Sequence, residues 1–249
     1  MKITVITVCK NSERTIERTI NSVIKQNYQD LEYIIVDGGS EDSTLSIINK
    51  FREKINYVIT EPDKGIYDAI NKGISLSSGD LISILHSNDI FFNDEVLNNV
   101  SRYFNDNKNF SILLGSLSYK KNFDKKSVKR YYSARFFSPW MLRFGVSPPH
   151  PSSFIKREIY KKFDVYDSSF IIAGDFEIFA RYLLKNNLSY KIAKECFVVM
   201  QPGGVSDRGI KSFYISTFEI IKALKKNKIY SNAFFVLLRF PIKIIQYLV

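Results

Sequence analysis

Short, continuously apolar runs alternate with helical spacing through the first hundred residues, and no other feature restricts the fold as much. Lys2–Val8, Leu31–Asp37, Ile55–Thr60 and Asp80–His86 are rich in β-branched residues, whereas Arg14–Gln26, Asp42–Arg52 and Ile66–Leu76 repeat apolar residues every three or four positions. A strand that is apolar on both sides has to be covered on both sides. These segments therefore predict βαβ units in a doubly wound, mostly parallel α/β sheet flanked by helices. Ser111–Leu117 predicts one more strand, Glu158–Phe163 and Asp175–Lys185 predict helices, and Ser189–Val199 predicts a strand. Helical patterns over Ile210–Lys226 and Ser231–Leu248, the second interrupted at Pro241, form a C-terminal extension. Tyr119–Arg135 is strongly basic and weakly periodic, so composition changes there. The chain divides on this reading into an α/β half at 1–118, a second half of the same domain at 119–205, and basic amphipathic helices at 206–249.

A formal charge of +11 points to an anionic partner: nucleic acid, lipid headgroups or a phosphorylated substrate. Nucleic acid is set aside because the chain has neither a zinc finger nor an aromatic RNA-binding signature. Cys9 and Cys196 are far apart and outside any CxxC or Cys/His cluster, which predicts reduced thiols in a reducing compartment rather than a disulfide or zinc site. The N-terminus, Met1 to Lys10, lacks the apolar core and cleavage site of a secretory signal and reads as a buried first strand. Residues 233–249 are apolar but contain Arg239, Pro241 and Lys243, short of what a spanning helix requires.

Ligands of open parallel sheets bind outside the carboxyl ends of the strands, where this sequence places its polar residues. Strand two ends in Asp37-Gly38-Gly39-Ser40, strand three in Glu61-Pro62-Asp63-Lys64-Gly65, and strand four in His86-Ser87-Asn88-Asp89. Parallel neighbours would bring Asp37 and Asp89 to one crevice. A turn or cap role also suits Asp37. Lys64, Asp68 and Asn71 form a polar stripe opposite Ile66, Ile70, Gly73 and Ile74, and are expected to look into that crevice. A solvated helix face with one Lys–Asp pair is the alternative.

These residues resemble the inverting family 2 glycosyltransferases of the GT-A fold, closely over residues 3–100 and loosely over 148–185. The carriers are Thr4-Val5-Ile6-Thr7-Val8-Cys9-Lys10-Asn11, Ile34 to Thr44 with Asp37-Gly38-Gly39-Ser40 at its centre, Glu61 to Gly73, and Ser87-Asn88-Asp89. The resemblance implies that Val8, Lys10, Asp37, Lys64, Asp68 and Asn88 bind a nucleotide-sugar, with Asp37 accepting a hydrogen bond from the base. It implies that Asp89 ligates a divalent cation, Mn²⁺ or Mg²⁺, bridging the diphosphate; hard cations favour carboxylate and phosphate oxygens. Asn88 stands where the family usually has an acid, which removes one negative charge from that site.

Ile171-Ile172-Ala173-Gly174-Asp175-Phe176-Glu177 resembles the family's later acidic motif, which makes Asp175 the expected catalytic base and Glu177 the second candidate. Ordinary helix capping is the alternative for Asp175. His150, in Pro148-Pro149-His150-Pro151, and Glu177 are possible contacts of acceptor or phosphate, a surface-loop histidine being the alternative for His150; His86 reads as a packing residue. Gly203-Gly204 reads as a turn.

The expected activity is hexosyl transfer from a nucleoside-diphosphate sugar, a UDP-sugar, to a glycan or lipid-linked glycan hydroxyl in surface-polysaccharide synthesis. The alternatives are a non-catalytic nucleotide-sugar-binding protein, or a nucleotidyltransferase, against which stands the missing glycine-rich loop at Val8–Thr15. Lys222, Lys225, Lys226, Lys228, Arg239 and Lys243 lie among Phe234, Phe235, Leu237, Phe240 and Ile244 with no acidic residue from 222 to 249. That pattern predicts a cytoplasmic protein held peripherally on an anionic inner membrane face, or the same segment packed on the domain or in a homodimer.

Overall fold

The computed structural model describes residues 1–107, 109–120, 130–201 and 210–239. Its centre is one mixed sheet. Strands β1 (Ile3–Cys9), β2 (Leu31–Asp37), β3 (Tyr57–Thr60) and β4 (Leu81–Ile84) are parallel in the order β3-β2-β1-β4. The sheet continues through β8 (Ser153–Lys156), β6 (Ile112–Tyr119), β9 (Tyr190–Met200) and β5 (Asp89–Phe91), with β7 (Arg130–Tyr132) paired to β6 off this path. The pairs β4–β8, β8–β6, β5–β9 and β6–β7 are antiparallel, whereas β6 and β9 run parallel.

The continuous apolar runs are explained by what covers them. All seven residues of β1 are buried. Ile6 and Val8 of β1 join Ile34 and Val36 of β2 beneath α3 (Ile66–Leu76), which contributes Ile70 and Ile74. Ile3 and Val5 join Tyr33 and Ile35 on the other face, beneath α1 (Ile16–Ile24), which contributes Ile16, Ile20 and Val23. Each such side chain stabilises the fold by about 1.5–3 kcal/mol on complete burial. Helices α2 (Thr44–Asn49) and α4 (Val96–Asp106) complete the second face.

On the first face lie α5 (Arg157–Phe163), α6 (Gly174–Phe179), a π-helical turn at Ala180–Lys185, and α7 (Ile210–Lys226). A last short helix, α8 (Ala233–Leu237), rests on α7 and on the 3-10 turn Pro139–Phe144. Val236 is fully buried there, and the Arg239 guanidinium donates to Ser216 Oγ at 3.2 Å and Thr217 Oγ1 at 2.8 Å. The first part of the C-terminal segment thus packs on the domain. Residues 240–249 and Gly203-Gly204 lie outside the described residues.

Where β6 pairs with β9 the register shifts on either side of Ser116, next to Gly115. A Cβ on Gly115 would lie 2.1 Å from the ring of Phe197, a fully buried side chain. Gly115→Ala should destabilise the protein by about 1–3 kcal/mol through this overpacking. Urea unfolding measures it; an unchanged midpoint would show that the ring has room to turn.

Candidate active site

A crevice of about 990 Å³ opens at the carboxyl ends of the parallel strands. The end of β1 supplies Val8, Cys9 and Lys10, and the turn after β4 supplies His86, Ser87 and Asn88. Gly65, Ile66, Tyr67 and Ala69 enter from the start of α3, His150 from the loop before β8, and Asp175 from the first turn of α6. Residues from 8 to 175 are thereby brought together, among them Val8, Lys10, Asn88, His150 and Asp175 from the sequence expectation.

The remaining candidates stand elsewhere. Asp37 is fully buried beside Cys9; it accepts from the Ser40 N–H at 3.0 Å, from the Ser40 hydroxyl and from Cys9 Sγ at 3.6 Å. Burial, with the Asp37 charge adding to it, pushes the Cys9 thiol well up. The polar stripe of α3 does not face the crevice. Asp68 accepts from the Lys64 N–H at 3.1 Å, and Lys72 Nζ sits 2.8 Å from Glu61, 2.6 Å from Asp63 and 3.6 Å from Asp68. Asn71 exchanges two hydrogen bonds with the Tyr166 backbone, at 2.7 and 3.0 Å. One cation gathering three carboxylates turns this face of α3 aside, and Tyr67 and Ala69 take its place at the crevice.

Glu177 is also turned inward. It is fully buried in an ion pair with Arg181 at 2.9 Å and accepts from Asn227 Nδ2 at 3.0 Å, while Arg181 donates onward to the carbonyls of Phe163, Asp164 and Val165. Contact with acceptor or phosphate is thus replaced by a structural one. His150 is no surface histidine: it is 7% exposed, its Nε2 lies 2.6 Å from the Tyr166 hydroxyl, and its ring stacks 6.0 Å from His86. Burial, then the neighbouring His86, lowers His150 to about 3, and burial lowers His86 to about 4, so both rings are neutral near pH 7.

Tyr67, missed in the sequence, ties the two sides of the crevice. Its hydroxyl donates to the Ile172 carbonyl at 2.6 Å and accepts the Asp175 N–H at 3.3 Å. The closeness depends on Gly174, where a Cβ would come within 2.7 Å of the Tyr67 ring. Asp175 Oδ1 accepts from the Phe176 N–H at 2.7 Å while its side chain remains at the crevice. Asp63, Tyr119 and Tyr132 also line the crevice, and nothing in the local spacing marks them for it.

Asp89, next to Asn88, is fully buried, and neither carboxylate oxygen has a hydrogen-bond partner among the described residues. Desolvation holds its carboxyl well above the usual carboxylate range. A lone carboxylate of this kind supplies the hard oxygen that a divalent cation prefers; Asp89 adjoins the crevice residue Asn88 but does not itself line the crevice. Among the described residues no group of three His, Cys, Asp or Glu side chains could hold a metal by itself.

A mixed sheet with a strand-end crevice of this composition is the GT-A architecture. The chain belongs to glycosyltransferase family 2, whose family model matches residues 4–186. It is 33% identical over 184 residues to an uncharacterised glycosyltransferase of Mycobacterium tuberculosis, covering 73% of this chain and 69% of that one. It is 25% identical over 162 residues, 64% of this chain and 60% of the other, to a PGL/p-HBAD biosynthesis glycosyltransferase of Mycobacterium bovis. Among solved structures it is similar to S. aureus TarS 1–349 in complex with UDP-GlcNAc, with a TM-score of 0.70 at 20% identity over 90% of this chain and 66% of that one. The mannosyltransferase PcManGT from Pyrobaculum calidifontis, in complex with GDP-Man and Mn²⁺, gives 0.63 at 18% identity over 90% and 63%. The chain thus spans just under two thirds of the length of these solved structures.

Burying an unpartnered carboxylate disfavours its charged form, so Asp89 costs stability increasingly as pH rises from its unfolded value towards its raised folded one. Asp89→Asn should therefore melt at least as high as the parent, with a gain that grows from about pH 5 to pH 8 and amounts to about 2–4 °C per kcal/mol relieved. Scanning calorimetry without added metal checks this; a gain that shrinks with pH would contradict the assignment.

Proposed function

We propose that the protein moves a sugar from a nucleoside-diphosphate donor, a UDP-sugar, to a hydroxyl of a glycan or lipid-linked glycan, with inversion, in the synthesis of a surface polysaccharide. One observation carries the reading: Asp175 lines the same crevice as the strand-end residues Val8, Lys10 and Asn88. The UDP-GlcNAc complex of TarS supports the donor class, and the similarity to a PGL/p-HBAD biosynthesis glycosyltransferase supports a biosynthetic role.

On this reading Asp175 takes the proton of the acceptor hydroxyl, the resulting oxygen bonds to the anomeric carbon, and the carbon–oxygen bond to the nucleoside diphosphate breaks on the opposite face. Lys10 supplies positive charge at the mouth of β1, and Asn88 offers an amide to the donor. Asp37, fully buried and already accepting three hydrogen bonds, shapes the Gly38–Ser40 turn beside the donor rather than meeting the base itself. A divalent cation, Mn²⁺ or Mg²⁺, would be held by Asp89 and would neutralise charge on the departing diphosphate. His86 and His150, being neutral, contribute shape and hydrogen bonding rather than charge.

The same reading places the protein on the cytoplasmic face of an anionic membrane. Lys226 is paired with Asp167 at 2.6 Å, Lys222 lies over the Phe170 ring at 4.7 Å and Arg239 is buried, so these three cations serve the fold. The side chains offered to the membrane on this reading are aromatic: Trp140, Tyr214, Phe218, Tyr230 and Phe234 are 58–72% exposed, and Lys225 and Lys228 are exposed and line one pocket with Tyr230. Aromatic rings with a polar or cationic rim suit the headgroup region.

Two measurements test these proposals. Asp175→Asn should lower turnover by about 10²–10⁴-fold while UDP still raises the melting temperature as in the parent. Turnover is followed as UDP release from UDP-glucose, UDP-galactose or UDP-GlcNAc, whichever stabilises the protein most; a fully active variant would reject the base. Phe218→Glu/Phe234→Glu should lose co-sedimentation with vesicles containing phosphatidylglycerol, and equal binding by both proteins would remove the membrane claim.

A further inference from the structure

We infer that Glu219 is a positioning residue for the catalytic base, an inference that rests on the base reading of Asp175. Glu219 lies on α7, more than forty residues beyond the acidic motif, and is 6% exposed. Its carboxylate accepts three successive backbone N–H groups: Ile171 at 2.7 Å, Ile172 at 2.8 Å and Ala173 at 2.9 Å. Three consecutive N–H groups aimed at one point form a concavity that calls for an anion. Charge-assisted bonds of this kind are about twice as strong as neutral ones.

The opposite side of the same segment is held by Tyr67, whose hydroxyl takes the Ile172 carbonyl and the Asp175 N–H. The three residues before Gly174-Asp175 are therefore gripped between a carboxylate and a phenol. Lys226 on Asp167 and Asn227 on Glu177 hold the two flanks of this segment from the end of the α7 region. From α7 it is Glu219 that hydrogen-bonds the peptide groups leading into Asp175, as Tyr67 does from α3. The donor-side residues Val8, Lys10 and Asn88 belong to strand ends that α7 does not contact through Glu219.

This arrangement separates two quantities. Glu219→Gln keeps the shape of the side chain but presents an NH₂ group to backbone donors and removes the charge that gathers them. Turnover should fall by about 10–100-fold, as for an ångström-scale misplacement of a reacting group, while UDP affinity and the donor KM change by less than about 2-fold. Turnover per UDP-binding site should fall, whereas a purely structural lesion would lower the number of UDP-binding sites and leave turnover per site unchanged. In Asp175→Asn/Glu219→Gln the losses should not add, since Glu219 acts through a group already removed.

UDP release and UDP-induced melting shifts are measured on the full chain for Glu219→Gln, Glu219→Asp, Asp175→Asn and the double variant. Unchanged turnover in Glu219→Gln, or additive losses in the double variant, would overturn the inference. Should Glu219→Gln fail to fold, Glu219→Asp decides: it keeps the charge one methylene short, and full turnover in that variant overturns the inference equally. Full activity of Asp175→Asn would instead reject the base reading itself.

Discussion

The central strands of this sheet have no wet face, which leaves only their ends for chemistry, and the rest of the molecule follows from that. Every residue of β1 is buried, and its backbone groups are committed to β2 on one side and β4 on the other. Polar side chains inside such strands need partners at once, as Thr4 finds in Glu32 at 2.6 Å and Thr7 in Tyr33 at 3.1 Å. Where the strands stop, the constraint lifts, and Lys10, Asn88 and the buried Asp89 appear within a residue or a few of the last ladder position. The position of the crevice is a consequence of what the faces forbid.

Much of this was legible in the chain. Helices α3 and α7 have the bounds that apolar spacing predicts, because each buries one stripe and nothing remote interrupts it. The helix expected over Asp42–Arg52 is shorter, Thr44–Asn49, since Asp42 accepts the Thr44 N–H at 2.9 Å and the chain tightens into a 3-10 turn at Arg52–Lys54. Strands β5, β7 and β8 were not foreseen. Each has three or four residues, too few for a period, and each is held by antiparallel pairing, β5 and β8 with partners far away in the chain and β7 with the preceding β6. The acidic motif at Asp175 was readable as a motif, whereas the Tyr67 and Glu219 bonds on either side of it bridge 105 and 48 positions and leave no local trace. The α3 stripe misled for a related reason: spacing identifies a polar face but not which ion pairs will claim it.

The two sides of the crevice differ in physical character. The strand-end side is built of short turns fixed by Asx-type bonds, such as Ser40 N–H to Asp37. The Asp175 side is set in aromatic packing: Tyr67 stacks on Tyr166 at 5.8 Å, and Tyr166 in turn meets His150 at 5.6 Å and Tyr160 at 6.1 Å. Rigid rings with a single polar atom each hold a loop at little cost in side-chain entropy. That is the setting in which one carboxylate can be kept at the crevice while its neighbour Glu177 is drawn into the core.

The order of pairing in the sheet bears on how the chain assembles. Strands β1, β2 and β3 pair with sequence neighbours, β1 with β2 across a single helix, and β4 then closes on β1, so this half is complete once residue 84 has been made. β6 must wait for β9, and β8 must return antiparallel between β4 and β6 before the loop carrying Asp175 has a wall to lean on. Loop closure over such distances is slow to be rewarded. During synthesis the strand-end side of the crevice is complete in sequence well before α7 has left the ribosome. A nascent chain therefore acquires its parallel half first, and the geometry around Asp175 is among the last things it acquires.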